Sequence, residues 1–118
     1  MYKKTKTKEY TSKNNDEKKY LDSLKDFHLS HIERWGLHWN QHSLVTLQRQ
    51  SISRILYYNE IYRHIINVPG CILEFGVQWG ATLSQLISLR GIHEPYNYAR
   101  HIYGFDTFEG FLNIDKTK

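Results

Sequence analysis

Apolar side chains recur at helical spacing in two stretches of the chain before residue 68. The first stretch is residues 16–35, and Gly36 supplies a stop. The second stretch starts at Ser43, a good N-cap, and continues to about residue 67. Pro69 follows closely and cannot continue a helix. The pattern therefore predicts a region of N-terminal helices over residues 16–67.

The hydrophobic pattern changes after Gly70. Residues 71–77 form a short, nearly continuous apolar run, which is typical of a buried strand in a parallel sheet. Residues 81–90 return to helical spacing, a polar connection covers residues 91–100, and residues 101–105 form a second short apolar run. Strand, helix and strand in this order predict a parallel β–α–β unit with a right-handed crossover. The expected fold class is therefore α/β and Rossmann-like.

The predicted sheet is incomplete. A doubly wound sheet has about six strands, whereas this sequence offers two candidates before it ends at Lys118. A parallel pair of strands by itself leaves its edges unpaired. We therefore expect residues 68–118 to be the start of a truncated Rossmann-like domain, and we expect the 118-residue chain to be inactive by itself.

The positive charge of the chain is concentrated at one end. Residues 1–19 contain seven lysines and three acidic residues, a net charge of +4, whereas residues 20–118 contain nine basic and nine acidic residues. Residues 1–15 are rich in Lys, Thr, Ser and Asn and have no hydrophobic period, which favours a disordered basic leader. A phosphate-attracting arm is the alternative. Because the body is neutral, we expect no nucleic-acid partner.

Cysteine content and hydropathy narrow the class of protein further. A single cysteine, Cys71, excludes an intramolecular disulfide and a Cys-rich zinc site, and its position predicts a small buried residue entering the first strand. The lysine-rich start is followed by polar residues rather than by the apolar core of a signal peptide. No apolar stretch approaches the ~20 residues needed to cross a bilayer. These features predict a cytoplasmic protein without membrane contact.

The first segment with recognisable chemistry is the glycine turn, residues 74–80, which reads E-F-G-V-Q-W-G. Gly76 and Gly80 allow the backbone to approach a ligand, and the following helix points its free N–H groups at the turn. The G-x-G-x-x-G dinucleotide pattern and the P-loop pattern are both missing. The Glu74 carboxylate would repel a pyrophosphate but suits a cationic sulfonium or amino group, which favours S-adenosylmethionine over NAD. A turn required only by packing is the alternative.

The second such segment follows the second predicted strand. Asp106 lies where an acidic side chain holds ribose hydroxyls in Rossmann-like sites, although its offset from Glu74 is longer than usual. The alternative is a turn residue that caps the next segment. Glu109 is either an exposed loop acid or an adenosine contact, and the sequence does not separate these two roles.

Together the two segments resemble the macrocin O-methyltransferase-like (TylF/MycF-type) family of class I S-adenosylmethionine-dependent methyltransferases. The family motifs E-x-G-V-x-x-G and D-[ST]-F-x-G occur here at residues 74–80 and 106–110, in the same order and with similar separation. The resemblance covers about residues 44–112 and only the N-terminal part of a family member. One departure is Ala81, where the family often has a further glycine.

The resemblance implies a class I methyltransferase fold, present as the N-terminal helices and the first β–α–β unit. It also implies a cofactor, S-adenosylmethionine, held at Glu74, Gly76, Gly80, Asp106 and Thr107. The acceptor would be a small molecule, the hydroxyl of a sugar or of a glycosylated metabolite. Mg²⁺-binding carboxylates and the catalytic base lie in the later half of family members, so neither a metal ligand nor a catalytic residue is assigned here. A homo-oligomer is compatible with this interpretation.

Two other interpretations remain open at this stage. A non-catalytic fragment or interaction module could retain the turn without turnover, and an NAD-type oxidoreductase is disfavoured by the missing third glycine. His38 and His42 stand four residues apart, as zinc ligands on a helix would. Gly36 and Ser43 instead predict a loop between helices, and no third ligand is indicated. We therefore expect surface histidines that help to shape a lid over the acceptor site.

Overall fold

A computed structural model describes residues 12–109 of the chain. The chain divides into two compact units, with the boundary between Gln48 and Arg49. Most of the expected basic leader, residues 1–11, lies outside the described residues, as does the end of the D-[ST]-F-x-G motif at Gly110. The long helix that precedes the first strand belongs to the second unit.

The first unit begins with helix α1, Asn15–His31. Asn14 caps it in a reciprocal arrangement, since its side chain accepts from the Glu17 N–H and the Glu17 carboxylate accepts from the Asn14 N–H, both at 2.9 Å. The helix ends four residues before the predicted Trp35, and Asn15 is helical rather than part of a leader. The first helix of the predicted region is thus confirmed, with a shift at each end.

Short helical turns follow α1: a 3₁₀ turn at Gly36–His38, the four-residue helix α2 at Trp39–His42, and a second 3₁₀ turn at Ser43–Thr46. The prediction of a loop here is wrong, and so is the predicted N-cap at Ser43, but the predicted long helix is confirmed from Arg49 to Ile65. The Ser43 hydroxyl donates back to the Asn40 carbonyl, and Leu47 is extended with ψ 125°, which interrupts the helix. Helical spacing in the sequence does not reveal such a break.

The second unit contains helix α3 at Arg49–Ile65, strand β1 at Ile72–Phe75, helix α4 at Ala81–His93 and strand β2 at Ile102–Phe105. The strands are parallel, with Ile72 opposite Ile102 and Phe75 opposite Phe105. The predicted β–α–β unit is therefore confirmed. Helix α4 runs three residues further than its apolar spacing indicated.

The core of the second unit lies on one face of this sheet. Tyr62 of α3 and Leu86 and Leu89 of α4 are buried, and four partly buried side chains pack against them: Tyr58, Ile65, Ile72 and Ile102. The other face is open, and its side chains are 47–75% exposed: Leu73, Phe75, Tyr103 and Phe105. The expectation of a strand buried on both faces is wrong for these residues, because among residues 12–109 helices cover only one face.

A buried polar cluster, here called the buried network, fixes the amino ends of both strands. The Arg100 guanidinium pairs with the Glu94 carboxylate at 3.0 Å and also donates to the carbonyls of Gly70 and Ile65. The Tyr62 hydroxyl donates to the same carboxylate at 2.6 Å. All three side chains of the network are at most 8% exposed. The network therefore ties the end of α3 and the turn before β1 to the connection that leads into β2.

Two further expectations can be compared with the structure. Cys71 is exposed rather than buried, because β1 begins one residue later and the thiol lies outside the core. Within the described part of the chain, every helix is too short or too polar to span a membrane.

Candidate functional site

The loops that follow the two strands lie side by side at the carboxyl edge of the sheet. The Gly76 N–H donates to the Phe105 carbonyl at 2.8 Å, which extends the parallel ladder one residue beyond β1. The glycine turn and the Asp106 loop therefore leave the sheet at the same level. In open α/β sheets this edge is where ligands bind.

The backbone of the glycine turn depends on its two glycines. Gly76 and Gly80 have φ values of 83° and 85°, in the left-handed region that residues with a Cβ rarely adopt. A hydrogen bond from the Gly80 N–H to the Val77 carbonyl, 2.9 Å, closes the turn directly before α4. A Cβ added at either glycine would meet no atom within 4 Å. The glycines are thus needed for conformation, and the space beside them is open to a ligand.

Helix α4 presents its N-terminus to this space. Gly80 is its N-cap and has no side chain with which to cap the first turn. The first N–H groups of a helix have no acceptor within the helix, and they carry the positive end of the helix dipole. Thr82, in this first turn, accepts from the Arg54 guanidinium of α3 at 2.8 Å.

Glu74 adds an acidic side chain to the site from strand β1. Its side chain shares the covered face of β1 with Ile72, and its Oε2 atom is buried without a hydrogen-bond partner among the described residues. A buried carboxylate oxygen without a donor carries a free-energy cost. A ligand that brings a cationic or N–H group to this position would remove that cost.

Asp106 joins the second loop to the glycine turn. Its Oδ2 accepts from the Gln78 N–H at 2.7 Å, and its Oδ1 accepts from the Phe108 N–H at 3.0 Å. These backbone hydrogen bonds lower the pKa of the Asp106 carboxyl below its usual value, and the bond from Gln78 has the largest effect. Asp106 therefore lies next to the glycine turn, as the sequence predicts. Its role toward a ribose, like the ligand roles of the other predicted residues, stays a prediction.

Thr107 lies beside Asp106 in the same loop. Its hydroxyl oxygen accepts from the Glu109 N–H at 3.3 Å, so its local contact shapes the loop. The Glu109 side chain is exposed. The predicted residues Glu74, Gly76, Gly80, Asp106 and Thr107 thus occupy the two adjoining loops and the strand before one of them.

Sequence reasoning missed three contributors to this geometry. Gln78 and Phe108 have φ values of 53° and 57°, which is rare for residues with a side chain, and nothing in their identity signals it. Gly104, opposite Glu74 in the register, lies under Val77 and Leu83, whose side chains would stand 2.8 and 3.0 Å from an added Cβ. A glycine inside a strand is a known sign of close packing and could have been used.

The two histidines singled out in the sequence lie in the first unit. His38 ends a 3₁₀ turn and His42 ends α2, and both are exposed. Among residues 12–109, no three His, Cys, Asp or Glu side chains are grouped so that they could hold a metal ion. The contribution of His38 and His42 to a lid over the acceptor site stays a prediction.

Comparison with known proteins extends this picture. No family model matches the chain, and no curated protein matches it significantly. Solved structures do match. A crystal structure of CalS11, a calicheamicin methyltransferase, superposes with a TM-score of 0.75 and 30% sequence identity over 90% of this chain. The chain adopts part of a methyltransferase fold.

A second structure gives the same result. The apo form of CalS11, described as a TDP-rhamnose 3′-O-methyltransferase in calicheamicin biosynthesis, matches with a TM-score of 0.71 and 30% identity over 86% of this chain. The chain spans 41% and 44% of the lengths of these two structures. The likeness supports a methyltransferase family, and the narrower TylF/MycF-type assignment stays a prediction.

Proposed function

We propose that this chain carries the cofactor-binding part of an S-adenosylmethionine-dependent O-methyltransferase whose acceptor is a sugar hydroxyl. The observation that carries the proposal is the likeness to CalS11, a sugar O-methyltransferase, over 90% of the chain at 30% identity. A fold alone does not imply a function. The proposal therefore also needs a site that suits the cofactor.

The glycine turn suits S-adenosylmethionine in two ways. The space beside Gly76 and Gly80 is open, so a ligand can approach the backbone there. The Oε2 atom of Glu74, which has no hydrogen-bond partner among the described residues, suits the ammonium or sulfonium of the cofactor. A pyrophosphate would instead bring negative charge toward Glu74. When bound, the cofactor supplies a methyl group on a positively charged sulfur.

The residues of this chain would bind and orient that cofactor. Glu74 would meet its cationic end, and Asp106 and Thr107, in the adjoining loop, would hold its ribose hydroxyls. The proton of the acceptor hydroxyl must leave as the new carbon–oxygen bond forms, and none of the described residues is assigned as its base. No residue of the chain is proposed to bind Mg²⁺.

Calorimetric titration of the full chain with S-adenosylhomocysteine tests this proposal, with NAD⁺ in a parallel titration. Gly76→Val should weaken S-adenosylhomocysteine binding about a hundredfold or more, because a branched side chain disfavours φ 83° and fills the open space. Gly91→Val is the matched control, since Gly91 lies in α4 and an added Cβ there also meets no atom within 4 Å.

The outcomes separate the candidate functions. Unchanged affinity in Gly76→Val, with wild-type circular dichroism, would contradict binding at the turn. Binding of NAD⁺ in preference to S-adenosylhomocysteine would favour an oxidoreductase instead.

A further inference from the structure

The two strained residues of the site share one hydrogen-bond acceptor. Gln78 and Phe108 are the non-glycine residues that the structure records with positive φ among residues 12–109. Their N–H groups both donate to the Asp106 carboxylate, one to each oxygen. Left-handed conformations are unfavourable for a residue with a Cβ and persist where surrounding contacts favour them.

The Asp106 carboxylate is suited to that task. The Gln78 bond is short at 2.7 Å, as expected for a bond to an ionised acceptor. It reaches from the loop after β2 to the centre of the glycine turn, 28 residues earlier in the chain. The lowered pKa of Asp106 has this bond as its first cause, so the carboxylate is ionised near neutral pH.

We propose that Asp106 is a positioning residue: its carboxylate holds Gln78 and Phe108 in their left-handed conformations and so gives the glycine turn the shape that receives the cofactor. The inference rests on the proposed function for the identity of that ligand. It differs from a ribose contact, because it acts through the backbone of Gln78 before any ligand binds. Each carboxylate oxygen has a second lone pair, so the two roles are compatible.

The first measurement needs no ligand. In ¹⁵N-labelled full chain, Asp106→Asn should move the amide proton of Gln78 upfield, because the charged acceptor is lost. Glu109→Gln is the matched control: it removes the same charge three residues further along the loop and should leave the Gln78 amide in place. An unmoved Gln78 amide in Asp106→Asn would overturn the proposal.

The second measurement is a double-mutant cycle with S-adenosylhomocysteine. Glycine adopts positive φ without strain, so Gln78→Gly should make the turn less dependent on Asp106. We expect Asp106→Asn to weaken binding about tenfold in the wild-type background and about threefold or less in the Gln78→Gly background. The same loss in both backgrounds would show that Asp106 acts on the ligand alone and would overturn the proposal.

These measurements separate the two hypotheses. If S-adenosylhomocysteine does not bind the wild-type chain, the proposed function fails, while the Gln78 amide still decides whether Asp106 holds the turn. If Asp106→Asn unfolds the chain, recovery of the fold in the Asp106→Asn/Gln78→Gly double variant supports the inference, and no recovery overturns it.

Discussion

The two ends of the β–α–β unit each carry a carboxylate with a lowered pKa, but the surroundings differ. At the amino end, Glu94 is buried, and hydrogen bonds from Arg100 above all lower its pKa to about 2. At the carboxyl end, Asp106 is partly exposed, and backbone N–H groups lower its pKa. The first carboxylate has a full positive charge as its partner, whereas the second has neutral peptide dipoles.

This difference indicates two separate tasks. A buried ion pair contributes to stability only while both partners are present, because either charge alone is costly inside a protein. Burial, and then the hydrogen bond to Glu94, raises the pKa of Tyr62 to about 12, so the network also keeps that hydroxyl as a donor. A partly exposed carboxylate on loop backbone can be lost at a small cost to the fold. We therefore expect stability to depend on the amino end and ligand binding on the carboxyl end.

The strongest test of this comparison removes Arg100. Arg100→Leu leaves the Glu94 carboxylate buried without its cation, and we expect the free energy of unfolding to fall by about 3–5 kcal/mol. Arg63→Leu is the matched control, since the Arg63–Glu60 pair is 3.5 Å apart with both side chains at least 60% exposed. Exposed pairs contribute about 0–1 kcal/mol. Urea unfolding measures both variants, and similar losses would contradict the distinction between the two ends.

A smaller effect should follow from acid. The pKa of Glu94 is about 2 in the folded chain against an ordinary 4.5, so its contribution is present above pH 4.5 and is lost as pH falls toward 2. A shift of this size corresponds to about 3 kcal/mol. We expect urea midpoints to decrease over this interval. Glu94→Gln should be less stable at neutral pH and should show a flatter decrease, whereas an equally steep decrease would assign the acid sensitivity to other groups.

Much of the carboxyl end could be predicted from the sequence. The apolar runs predicted both strands. Because the two strands are parallel, the residues after Phe75 and Phe105 lie at the same edge of the sheet, its carboxyl edge. Glycines at 76 and 80 then indicated the turn. The role of Gln78 could not be predicted, because its left-handed backbone depends on a carboxylate 28 residues away.

The amino end was missed for a different physical reason. Glu94 and Arg100 stand in a polar connection that resembles an exposed loop, and their burial depends on how α3, α4 and β2 come together. Periodicity reports which residues are apolar, not which charges find partners. The same limit explains Ser43, whose hydroxyl bonds to Asn40 instead of capping a helix.

The smallest expected change in stability is that of Asp106→Asn. The substitution keeps the size of the side chain and one oxygen acceptor, and residues 106–109, the described part of the loop, contribute no side chain to the buried core. The left-handed residues that Asp106 holds can relax within their loops, so the cost stays local and the strands keep their register. We expect an unchanged urea midpoint together with the tenfold loss of S-adenosylhomocysteine affinity. Glu94→Gln removes the same charge at the other end of the unit. We expect that variant to lower the urea midpoint clearly. A midpoint for Asp106→Asn as low as that of Glu94→Gln would show that both carboxylates hold the fold together, and the division between the two ends would be wrong.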